Sequence, residues 1–157
     1  MRYLYLLLLC FLISCKEEQK KNDFDLKYIS HNLKLSLLHV GEECGEWGGD
    51  SEEIIFYRNN LEKVNLLADY KKINFNCKDR KKDSIVTKGI IVTRNIQRLI
   101  LESINELTQI KISRENYPSH AGLYNRIQLS DSTLIIDDFP SQKWITFEKI
   151  ADELLKR

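Results

Sequence analysis

The sequence predicts an α+β domain, a single small unit with a mostly antiparallel sheet of about five or six strands packed by two helices. Three observations lead there. Short runs with a period of two recur between residues 33 and 92 and again between 123 and 136, broken by turn-forming Gly, Asn and Asp. Two other segments space their apolar residues three and four apart, the period of an amphipathic helix. The regular strand–helix alternation of a doubly wound parallel sheet is missing.

Leu33-Lys34-Leu35-Ser36-Leu37 alternates apolar and polar side chains, and the apolar set runs on through Leu38 to Val40, which reads as a half-buried strand. Residues 41–50 then carry four of the chain's six glycines and must form an irregular loop. Glu53 to Arg58 reads as a second strand. Asn59-Asn60 tolerates positive φ and suits a turn, and Val64, Leu66, Ala68 and Tyr70 alternate on the returning strand. Residues 76–84 form an exposed charged loop. Ile85 to Val92 is a strand with Gly89 as a candidate bulge.

Thr93 can cap a helix whose stripe is Ile96, Leu99, Ile100, Ile104 and Leu107, about 16 residues long. After a loop containing Pro118, His120 and Gly122, the run Leu123, Asn125, Ile127, Leu129 alternates with polar neighbours. Ser130-Asp131-Ser132 turns the chain, and Thr133 to Ile136 returns until Pro140 stops it. Trp144, Phe147, Ala151, Leu154 and Leu155 place a stripe on a last helix that begins between Ser141 and Thr146.

The N-terminus is of a different kind. Arg2 precedes an apolar run of about eleven residues, Tyr3 to Ile13, too short to cross a bilayer, which takes about 20 residues. Ser14 and Cys15 follow, and then the abruptly polar Lys16-Glu17-Glu18. Such a pattern is an export signal and not part of the fold. Leu12-Ile13-Ser14-Cys15 resembles the lipobox of bacterial lipoproteins. The resemblance implies cleavage before Cys15 and acyl chains on its sulfur and new N-terminus, an anchor that needs no spanning helix. Lys16 is not the aspartate associated with inner-membrane retention, and Cys15-Lys16-Glu17-Glu18 resembles a lysine–acidic–acidic surface-export signal. The expected location is therefore the cell envelope, with the outer membrane favoured, on its periplasmic side or at the surface. The expected organisation is a signal peptide over 1–14, the lipidated cysteine and a flexible tether over 15–25, and the α+β domain over 26–157.

Removing residues 1–14 from the 157-residue chain leaves 143 residues, with 23 basic against 23 acidic side chains. A domain of that size can bury close to two-thirds of its unfolded surface. The balanced charge gives no footprint for nucleic acid. Cys10 leaves with the signal and Cys15 carries the acyl chains, so Cys44 and Cys77 remain. An even pair in an exported chain favours a disulfide over two free thiols.

Catalytic patterns are not evident, and no cofactor is expected. The glycine-rich loop lacks the spacing of a phosphate cradle, and its carboxylates Glu42, Glu43, Glu46 and Asp50 lack that of a calcium loop. His31, His39 and His120 have no metal-ligand spacing. Asp137-Asp138 reads as a turn or cap; adjacent strand residues point to opposite faces and do not share a site. The leading expectation is a non-enzymatic binding module with an unknown protein partner. Residues 44–50 and 117–122 form its contact surface, with Trp47, Gly48, Gly49, Tyr117 and His120 as candidates. Trp47 either serves recognition or folds back onto the core. Two other classes stay open: an inhibitor or immunity-type protein at the envelope, and a small envelope hydrolase or metal-dependent enzyme using His39, His120 and loop carboxylates.

Overall fold

The computed structural model describes residues 25–59, 65–115 and 118–156. It has the predicted α+β architecture. The elements are β1 (Leu35–Val40), β2 (Ser51–Tyr57), β3 (Leu67–Phe75), β4 (Lys82–Ile91), α1 (Arg94–Ser113), β5 (Leu123–Leu129), β6 (Ile135–Ser141) and α2 (Ile145–Leu155). The six strands form one sheet in the order β4-β3-β2-β1-β5-β6, and every neighbouring pair is antiparallel.

One face of this sheet makes the core. Leu35, Leu37, Ile54, Phe56, Ala68, Ile127 and Leu129 are buried on it, against Ile96, Leu99, Ile100 and Leu107 of α1 and Phe147, Ile150, Ala151 and Leu154 of α2. Each large aliphatic or aromatic side chain so buried contributes about 1.5–3 kcal/mol. Trp144 precedes α2 with its ring stacked on Phe147 at 5.1 Å, and its indole N–H donates to the carbonyl of Ser103 at 3.3 Å.

Local chemistry sets the element ends. Thr93 caps α1, its hydroxyl accepting from the Ile96 N–H at 3.3 Å. At the start of α2, Trp144 has no side chain that can cap. Glu106 of α1 does so instead, Oε1 accepting from the Ile145 N–H at 3.0 Å and Oε2 from the Thr146 N–H at 2.9 Å. Gly89 forms the expected bulge: the β3–β4 register slips between Ala68 and Tyr70, Gly89 has φ +69°, and Asp69 accepts its N–H at 2.9 Å.

Several expectations need correction. Pro140 does not stop β6, which runs to Ser141 with a cis Phe139–Pro140 bond; an edge strand can hold a residue that has no N–H to donate. Helix α1 has 20 residues, four beyond the expected length, because its last turn carries no buried side chain and so leaves no apolar signal. Leu155 is exposed and Ile150 fills the stripe instead. The charged loop ends at Lys81, and β4 begins at Lys82. The turn at Asn60 and the alternating Val64 lie outside the described residues.

Asp137 and Asp138 sit within β6 rather than in a turn or cap, and they diverge as adjacent strand residues must. Asp137 accepts from the Tyr124 hydroxyl at 2.7 Å and pairs with Arg126 at 3.2 Å. Asp138 is fully buried and bonds Arg114 Nε at 2.7 Å. Arg114 also donates to the carbonyl of Phe139, and Lys111 to that of Asp137. The end of α1 thereby covers the β6 edge. At the other edge, eight of the ten residues of β4 lie in one continuous exposed run, Lys82 to Gly89.

Candidate functional site

The registers put the predicted contact segments at one end of the sheet. Val40 pairs with Ser51 and Tyr124, Ser51 with Ile73, and Phe75 with Lys82. The β1–β2 loop (41–50), the β3–β4 loop (76–81) and the segment entering β5 (118–122) therefore project from the same end.

The first two loops are bonded to each other. Cys44 and Cys77 form a disulfide with their Cα atoms 5.4 Å apart. A 3₁₀ turn at Gly45–Trp47 tightens the first loop, with Cys44 N–H donating to the Gly48 carbonyl at 2.8 Å and Gly41 N–H to that of Asp50 at 2.7 Å. Gly48 has φ +75°, a conformation that a side chain would strain. Gly49 is needed for space: a Cβ there would lie 1.7 Å from Glu43 Oε2 and 2.9 Å from the backbone of Gly41. The tucked Glu43 carboxylate accepts the Asp50 N–H at 3.2 Å, and Asp50 accepts the Phe75 N–H at 2.8 Å. In the second loop, Asn76 and Asp79 side chains accept the N–H groups of Lys78 and Lys81, and Arg80 takes φ +57°.

This framework holds Trp47 out in solvent, 67% exposed, so of the two readings of this residue the one in which it folds back onto the core does not hold. Its ring is covered by the guanidinium of Arg80, 4.4 Å from the centroid. Beneath it, on the open face of the sheet, lies a cleft of about 220 Å³ lined by Val40, Trp47, Gly49, Ser51, Ile73, Phe75 and Lys82. Lys82 Nζ sits 5.6 Å above the Phe75 ring. Among the described residues neither Arg80 nor Lys82 has a carboxylate within ion-pair distance.

His120 is exposed on the opposite flank, where a Cβ on Gly122 would lie 4.0 Å from Glu42 Oε2. Tyr117 and Cys15 lie outside the described residues. On the core face, the row nearest this end turns polar. His39 Nδ1 meets Asn125 Oδ1 at 2.6 Å, and Glu52 accepts from Tyr70 Oη at 2.7 Å and Lys72 Nζ at 2.9 Å. The Asn125 amide nitrogen donates to Ser141 Oγ and the Gln142 carbonyl, so its oxygen faces the imidazole and Nδ1 carries the proton. Burial first, and then the bond to the Glu52 carboxylate, push the Tyr70 hydroxyl pKa well up; the separate bond from Lys72 to the other Glu52 oxygen raises Lys72. These groups satisfy one another. Among the described residues no three His, Cys, Asp or Glu side chains are grouped to hold a metal ion, and no helix is long and apolar enough to cross a membrane.

No family model, curated protein or solved structure matches the chain.

Sequence reasoning pointed to the loop of Trp47, Gly48 and Gly49 and anticipated the cysteine pair. It missed Phe75, Arg80 and Lys82, which are 28 or more positions from Trp47 in the chain. The available signal was the disulfide itself, since Cys77 carries its neighbouring residues to the Trp47 loop.

Proposed function

We propose that the protein is a lipid-anchored envelope lipoprotein, held by acyl chains on Cys15 at the outer membrane, and that it is a non-enzymatic binding module. Its contact surface is the disulfide-tied end of the sheet. The N-terminal pattern supports the anchor. The binding role rests on one observation: a tryptophan two-thirds exposed to solvent on a loop fixed by a disulfide, glycine geometry and a stacked arginine. Rigid exposed aromatics suit recognition because they bring large contact area at small entropic loss. A stiff, projecting loop of this kind also favours the inhibitor or immunity-type version of the same role.

The anchor is tested by metabolic labelling with a fatty-acid probe. Wild type takes up label and Cys15→Ala does not; unlabelled wild type refutes it. The contact surface is tested by cross-linking in intact cells. A protein adduct lost in Trp47→Ala and kept in His31→Ala is expected; an adduct indifferent to Trp47→Ala removes this end of the sheet from the function.

A further inference from the structure

We infer that the cleft beneath Trp47 is a binding site for a small amphiphilic anion, a carboxylate carried on an apolar or aromatic body; the inference rests on the reading of this end as the contact surface. Its floor is mostly apolar, with Val40 of β1 and Ile73 and Phe75 of β3 flanking the one hydroxyl of Ser51 on β2, and Trp47 walls it. Gly49 adds only backbone to the wall, and the space its Cβ would take is filled by the Glu43 carboxylate. An apolar body enters such a space by losing its water contact.

The charge at the rim selects the head group. Lys82 lines the cleft and its ammonium lies over the Phe75 ring, with no carboxylate paired to it among the described residues. None of the nearby acids pairs with Lys82: Glu43, packed against Gly49, accepts the Asp50 N–H, Asp50 accepts the Phe75 N–H, and Glu42 lies toward Gly122 on the other flank. A cation over an aromatic face keeps its remaining N–H donors free for an anion. A carboxylate at the rim would accept from Lys82 while its body lay on Phe75 and Ile73. Arg80 acts as a positioning residue: it stacks on Trp47 from outside the lining, in a left-handed conformation that a non-glycine residue adopts at a cost. An unstacked Trp47 would leave the cleft without its wall.

The test uses the full chain in lipid nanodiscs and follows tryptophan emission against empty discs. Trp144 is buried, at 1% exposed, and supplies a constant background to the signal from Trp47. The probe is 4-phenylbutyrate, with 4-phenylbutanol as the same body lacking charge. Saturable binding of the acid is expected, about tenfold tighter than the alcohol, as one charge-assisted hydrogen bond requires. Lys82→Gln should lose that preference while Lys82→Arg keeps it, and Arg80→Ala should weaken acid and alcohol alike. Equal affinity for acid and alcohol on wild type overturns the proposal, as does no saturable change, and both comparisons hold even if a variant fails to fold. Loss of the cellular adduct in Trp47→Ala without phenylbutyrate binding would leave the contact surface standing and remove only this ligand class.

Discussion

Replacing Arg114 by methionine should be among the most damaging single changes in the chain. Asp138 is 0% exposed and Arg114 only 15%, joined by a 2.7 Å bond from Nε to Oδ1. Methionine keeps most of the side-chain volume but leaves the carboxylate buried and unpaired, which costs about 3–5 kcal/mol. Domains of this size are stable by about 5–15 kcal/mol, so roughly a fifth of the total or more would go. At about 2–4 °C per kcal/mol, a loss near 4 kcal/mol lowers the melting midpoint by about 8–16 °C. The pair is not fully satisfied, however: Asp138 Oδ2 and Arg114 Nη1 are buried without hydrogen-bond partners among the described residues. An apolar replacement of both members should therefore recover what one loses, and Arg114→Met/Asp138→Leu should fall within about 1 kcal/mol of wild type or above it. Urea unfolding of wild type, the two single variants and the double variant closes the cycle. A loss below about 1 kcal/mol for Arg114→Met, or a double variant equal to the sum of the singles, would refute the reasoning.

Three further changes have definite expected outcomes. Glu106→Ala frees two N–H groups at the start of α2 and should cost about 1–2 kcal/mol in urea unfolding, with α2 amides exchanging faster; unchanged α2 exchange would contradict the cap. Replacing Cys44 and Cys77 by serine opens a link across 33 positions, worth roughly 3–4 kcal/mol in the chain-entropy model, and a melting midpoint that does not fall would count against it. Tyr57, Tyr70 and Tyr124 all have raised pKa values, first through burial and then through hydroxyl bonds to Asp69, Glu52 and Asp137. A raised folded pKa gives stability that is complete below the unfolded value of 10.0 and is lost as pH climbs through the folded one. Alkaline ultraviolet titration should show these tyrosines ionising late, and Tyr70→Phe should flatten the alkaline loss of stability; ordinary titration of all tyrosines would contradict this.

What the sequence revealed and what it hid divide along a physical line. Periodicity reports burial. It therefore located β1, β5 and the stripe of α1, whose inward residues alternate with water-facing ones, and glycine chemistry located the Gly89 bulge. It missed the last turn of α1 because nothing there is buried. It placed Lys82 in a loop because an edge strand that packs against nothing shows no apolar alternation at its start. Asp138 read as a cap because its partner, Arg114, lies 24 positions away. The cleft was hidden for the same reason: its lining is brought together by strand register, which single-chain patterns do not encode.

The two margins of the sheet have unequal consequences for assembly. The β6 margin contains Pro140 and has two carbonyls occupied by Lys111 and Arg114, so it offers a poor template for another chain. The β4 margin leaves Ile85, Val86 and Ile91 about half exposed, with Lys82, Asp83, Lys88 and a bulge to discourage pairing. Association through backbone ladders can thus proceed from one side only. Among the described residues, a pair joined along β4 would carry the blunted β6 margin at both ends, an arrangement that opposes growth into a fibril.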